Sequence, residues 1–164
     1  MLTDNTGIIQ HLKGSIADYS TGYCTDDNTR TFILSIKAYH RFKDTKYLEL
    51  IYKYLSFVMH MQNEDGTFRN ILSYNRGFEE EQNLDDAFGR AVWSLGYIIR
   101  FAPNYFEVAE KTRNFLEKHC FVNNYLNVIG NKRWLKPDDY SNEFDQQPVD
   151  AMAMVLMYNS AQKS

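Results

Sequence analysis

The sequence predicts an all-α fold of about five helices, paired as helical hairpins in two layers and forming one domain over residues 1–164. Three observations predict it. Apolar residues recur at helical spacing along most of the chain. Only eight Gly and three Pro interrupt its 164 residues. An acidic motif also returns at a nearly constant interval. Asp26-Asp27 is followed by Arg30, Asp85-Asp86 is followed by Arg90, and Asp145 opens a third instance; Asp85 lies 59 residues after Asp26, and Asp145 60 after Asp85. Helix pairs at a fixed period stack on one another, because one pair alone cannot bury its apolar face.

Residues 1–25 are mostly polar and contain Gly7, Gly14 and Gly22, which suits an irregular lead-in with at most short ordered pieces. From Asp26, the spacing of Phe32, Ile33, Ile36 and Tyr39 predicts a first helix ending near Phe42. Asp44 can then cap a second helix, since its carboxylate accepts an orphan amide of the first turn. Tyr47, Leu48, Ile51, Tyr52, Leu55 and Met59 stripe that helix to about Met61. Gln62 to Phe68 read as a turn, with Gly66 supplying permissive backbone and Phe68 packing down. An irregular stretch follows to about Leu84. The third helix, Asp85 to Arg100, is apolar nearly all round and so reads as buried. Pro103 separates it from a fourth helix, Asn104 to His119, with a single apolar stripe. After a polar loop over 121–145, Pro148 suits the first turn of a fifth helix that runs to about Tyr158.

Composition narrows the function. Lys plus Arg is 18 and Asp plus Glu is 21, giving a net charge of −3. That balance lacks the basic excess that phosphate-backbone binding requires, so no nucleic-acid partner is expected. No run of about 18 uncharged apolar residues is present, so no membrane partner is expected. Two cysteines, Cys24 and Cys120, form no disulfide framework and suit a reducing, cytoplasmic location. His11, His40, His60 and His119 are scattered, and phosphate-loop, dinucleotide and zinc-protease motifs are absent. Neither a metal nor a cofactor is therefore expected. The unusual feature is aromatic content: 12 Tyr, 11 Phe and 2 Trp make 15% of the chain. Rings fill cores, but Tyr and Trp also line sites for flat-faced ligands.

The blocks STGYCTDDNTR (20–30), DGTFRNILSYNRGFEEEQNLDDAFGRAVWSLG (65–96) and NEFDQQPVDA (142–151) resemble helical domains of the six-hairpin, (α/α)6-toroid type, glycosidase-like and often glycosyltransferase-associated in bacteria. The Gln62–Phe68 signature is similar to a loop of terpene-cyclase-type toroids as well. The resemblance implies a partial toroid, about its first half, and a carbohydrate partner. It implies cleavage or rearrangement at a glycosidic centre, or else a non-catalytic glycan-binding or accessory domain. A helix carrying Met152, Met154, Val155, Leu156 and Met157 would lose several kcal/mol if left uncovered, at about 25 cal/mol per Å². A second copy of the chain, or the remainder of a toroid, is therefore expected to cover it.

Parallel inner helices would gather their acidic N-termini at one rim. The candidate catalytic residues are therefore Asp26, Asp27, Asp85, Asp86 and Asp145, with Asp27 and Asp86 first for acid–base work. Two carboxylates can divide that labour when one is held ionised and the other protonated. The same residues would equally serve to favour the helix N-termini electrostatically. Arg30 and Arg90 either pair with neighbouring carboxylates or also bond a sugar hydroxyl through their fixed fork of donors. Arg69, Asn70, Tyr74 and Arg76 mix planar donors with an aromatic face on a long loop, which suits a pyranose. Glu79, Glu80 and Glu81 read as a solvated acidic run with one possible site member, and Trp93 as core or cavity lining.

Overall fold

The computed structural model describes residues 2–79, 85–101, 106–123, 125–126, 152, 154–155 and 158–159. Helices form where the 3.6-residue period placed them: α1 (Thr25–Phe42), α2 (Thr45–Met61), α3 (Asp85–Phe101) and α4 (Phe106–Cys120). Asp44 caps α2 as expected, accepting from the Lys46 amide at 3.0 Å. Lys43, left-handed at φ 57°, ends α1, and its amide donates to the Tyr39 carbonyl.

The chain is nevertheless mixed α/β and not all-α with five helices. Beside the four helices, three two-stranded antiparallel sheets occur among the described residues. They pair β1 (Leu12–Lys13) with β2 (Ile16–Ala17), β3 (Tyr23–Cys24) with β4 (Ile71–Leu72), and β5 (Phe121–Val122) with β6 (Tyr125–Leu126). The expected fifth helix falls mostly outside the described residues; Met152, Met154, Val155, Tyr158 and Asn159 are described and helical.

The lead-in, described from residue 2, holds short ordered pieces. Gly14, at φ 66°, turns the chain between β1 and β2, a conformation glycine adopts without steric cost. Ile9 bridges to Tyr23 and Phe78 to Leu72, so β3 and β4 have a further backbone neighbour on either side. The fully buried Asn28 fastens the first residues to α1. Its side chain accepts from the Ile8 amide at 2.9 Å and donates to the Cys24 carbonyl at 2.9 Å. Thr3 and Tyr54 join their hydroxyls at 2.8 Å, which ties the same segment to α2.

Packing follows the burial pattern. α1 contacts α2 and α3, and α3 contacts α4. Phe32, Ile36, Tyr54, Val58, Met61, Leu95, Ile98 and Leu116 belong to one continuous core. Two contacts fix the relative direction of α1 and α3. Near the beginnings of both helices, Arg90 pairs with Asp26; two turns or more further on, Lys37 Nζ lies 5.2 Å from the Tyr97 ring centroid. The two helices therefore run parallel, and their N-termini share one end of the molecule.

Gly22 is where the extended entry to α1 is most constrained. It has φ 63°, and a Cβ there would lie 2.4 Å from the Leu72 carbonyl oxygen. Gly14 also has positive φ, but its Cβ would meet nothing within 4 Å. Gly22→Ala should cost roughly 2–3 kcal/mol in urea unfolding and Gly14→Ala about 1 kcal/mol. Equal losses would show that backbone strain alone, and not contact with β4, constrains Gly22.

Candidate functional site at the shared N-termini of α1 and α3

Cys24 stands at the N-cap of α1 without a side-chain cap, so the opening turn is secured from elsewhere. The Thr25 amide donates to the Asn70 carbonyl at 2.8 Å, and the Thr25 hydroxyl donates to the Arg69 carbonyl at 2.7 Å. The Asn70 side chain accepts from Cys24 Sγ at 3.2 Å. The loop carrying the candidate sugar-binding residues is thus fastened directly beside Asp26 and Asp27.

Asp26 is the electrostatic centre. Arg30, one turn on, reaches both of its carboxylate oxygens, with Nε to Oδ1 at 3.1 Å and Nη2 against Oδ2. Arg90 of α3 brings its Nε to the same Oδ1. The Asp26 side chain is 18% exposed, that of Arg90 22% and that of Arg30 49%, so the contact between helices is the better shielded. Burial pushes the Asp26 carboxyl up, the two guanidinia pull it down, and the Asp27 charge raises it again; the net direction is upward. Arg30 thus pairs with the carboxylate one turn before it, as expected, and Arg90 reaches across to the same carboxylate on the other helix.

Asp27 differs from its neighbour. It is partly buried, and its carboxylate makes no hydrogen bond or ion pair among the described residues. Asp85 and Asp86 open α3, with Asp86 one turn before Arg90. Asp145 lies outside the described residues, so a third acidic start at this end rests on sequence alone.

A second group flanks the first. Arg76, at φ 72°, holds its guanidinium 5.3 Å from the Tyr23 ring centroid. Tyr74 stacks on Tyr23 at 6.3 Å and tilts against Tyr19 at 4.8 Å. Arg69 lies over the Phe78 ring at 4.1 Å, with His60 beside that ring at 5.0 Å. Tyr23 is buried, while Tyr19, Tyr74 and Phe78 are exposed. The result is a surface of rings and guanidinia whose β3 strand runs straight into the Asp26 turn.

Sequence reasoning missed Asp4, Tyr19 and Tyr23. Asp4 Oδ1 accepts from the Thr6 and Gly7 amides at 2.7 and 3.2 Å, while Oδ2 accepts from the Tyr23 hydroxyl at 2.5 Å. The D-x-T-G spacing was a readable turn signal; the tyrosine partner, distant in sequence, was not. Burial works to raise the Asp4 carboxyl, but these hydrogen bonds and the Arg76 charge outweigh it and hold the group below its ordinary value. Burial and the bond to Asp4 push the Tyr23 hydroxyl up to about 12.

Other candidates fall elsewhere. Glu79 is exposed, and Glu80 and Glu81 lie outside the described residues. Trp93 packs against the core beside Tyr97, with its indole N–H buried and without a hydrogen-bond partner among the described residues. The Gln62–Phe68 turn is built as expected, with Gly66 at φ 93° and Phe68 buried. Cys24 and Cys120 are buried free thiols. Burial pushes both up, Cys120 to about 12. Among the described residues, no cluster of three His, Cys, Asp or Glu is placed to hold a metal ion. No helix is long and apolar enough to cross a membrane among those residues. The chain matches no family model and no curated protein.

Arg90→Ala should cost about 1–3 kcal/mol, because it strips a shielded partner from Asp26, whereas the more exposed Arg30 should cost no more than about 1 kcal/mol. Chemical denaturation measures both, and equal costs would remove Asp26–Arg90 as the dominant contact. The lowered Asp4 carboxyl contributes stability that is fully present above its unfolded value of 3.8 and is lost as pH falls through its folded value. Asp4→Asn should therefore flatten the acid limb of the stability–pH curve; an unchanged limb would show that Asp4 does not produce it.

Proposed function

We propose that the chain is a carbohydrate-active domain acting on glycosidic bonds in the cytoplasm, with its sugar site at the shared N-termini of α1 and α3. One observation carries this reading: the ion-paired Asp26, and Asp27 with no side-chain partner among the described residues, stand beside an exposed surface of tyrosines and arginines. Sugars present apolar C–H faces and rings of hydroxyls, and aromatic planes with guanidinium forks meet both needs. In this reading Tyr19, Tyr74, Arg76 and Arg69 receive the sugar. Asn70 holds the loop in place. Asp27 moves the proton, and Asp26, its charge shared by Arg30 and Arg90, fixes the geometry. Asp86 is the second carboxylate that a glycoside-cleaving reaction needs. The resemblance to six-hairpin glycosidase-like domains supports the substrate class, and the two buried free cysteines suit a reducing compartment. A second copy of the chain would cover Met152 and Val155, which are 44% and 49% exposed.

The second reading is a glycan-binding domain without turnover. It is favoured by Asp26 itself, because Arg30 and Arg90 occupy both of its carboxylate oxygens and so withhold them from a substrate. A glycan panel scored for both binding and product separates the two. The enzymatic reading expects Tyr74→Ala and Arg76→Ala to weaken binding, while Asp27→Asn abolishes turnover and leaves binding intact. Binding without product in the unmodified protein would support the second reading. No binding to any glycan would overturn both.

A further inference from the structure

A separate cavity of about 360 Å³ opens between the Gln62–Phe68 turn and the second half of α4. Its size falls within the range of roughly 300–1,000 Å³ that small-ligand sites occupy. The two walls carry opposite charge. Glu64 and Asp65 come from the turn, while Lys111, Asn114 and Lys118 come from α4. Phe115 and His119 complete the lining, their rings 4.7 Å apart.

The arrangement follows from helix geometry and a close backbone approach. Residues 111, 114, 115 and 118 share one face of α4, and seven residues at about 1.5 Å each separate the two lysines by roughly 10 Å along the axis. The turn is pressed onto that face. A Cβ on Gly66 would lie 2.6 Å from the Lys111 carbonyl oxygen, and Gln62 donates to the Thr112 hydroxyl at 2.8 Å. Asp65 spends Oδ1 on the Thr67 amide and hydroxyl, at 2.9 and 2.6 Å. The side chains of Glu64, Lys111, Asn114 and Lys118 make no hydrogen bond or ion pair among the described residues. Opposite charges that face one space without pairing across it leave room for a ligand that pairs with both.

We propose that this cavity binds a small zwitterion whose carboxylate meets the lysine wall, whose ammonium meets the Glu64–Asp65 wall, and whose flat apolar body rests on Phe115. An aromatic α-amino acid is the type case. Two positive and two negative side chains balance, so neither a simple anion nor a simple cation satisfies both walls. The site is independent of the carbohydrate reading and uses none of its residues.

The test compares L-phenylalanine with phenylpropionate, which lacks the ammonium, and phenethylamine, which lacks the carboxylate. Calorimetric titration and amide shift mapping of the full chain give the readout. Phenylalanine should bind saturably and shift the amides of residues 64–66 and 111–119. Each half-ligand should bind about tenfold more weakly or worse, the loss expected when one charge-assisted contact disappears. Lys118→Met and Glu64→Gln should each weaken phenylalanine by a similar factor; both side chains are exposed, so folding is preserved. Absence of saturable phenylalanine binding, equal binding by a half-ligand, or binding unchanged in both variants would each overturn the proposal.

Discussion

Two helices packed side by side and parallel bring their positive dipole ends together, and nothing in the helix backbone offsets that repulsion. In α1 and α3 the opening turns carry Asp26-Asp27 and Asp85-Asp86, which supply the missing negative charge at that end. Arg90 then crosses from α3 to Asp26 and turns the shared acidity into a bond between helices. Two further segments are fastened beside this junction. The loop at Arg69 and Asn70 reaches it through Thr25, and the first residues reach it through Asn28.

The helices were legible because they are long. A stripe such as Leu48, Ile51, Leu55 repeats often enough for the 3.6-residue period to appear without tertiary knowledge. The three sheets were not legible for the opposite reason. Two residues carry no alternation, and the pairing of Cys24 with Ile71 depends on contacts far apart in sequence. The glycines of the lead-in were visible but read as breakers, whereas Gly14 forms a hairpin turn and Gly22 admits a strand close to its neighbour.

The candidate site was legible in its residue types and not in its pairings. The recurrence of Asp-Asp before Arg marked Asp26, Arg30 and Arg90, and all three meet. That Arg90 would leave its own helix to do so follows from helix packing and not from spacing. Tyr74 and Arg76 stood out in a loop rich in planar groups. Their partners Tyr19 and Tyr23 lay in a stretch without periodicity, and only the folded chain brings them together.

The two sulfur atoms of the cysteines have a practical bearing. Cys24 and Cys120 are buried, and burial pushes both thiols up, Cys120 to about 12. Alkylating reagents attack the thiolate, so the native chain offers them almost no target near neutrality. A single cysteine introduced on the surface would be the one position to react. Fluorophores or spin probes could then be attached at chosen points without first replacing either native residue.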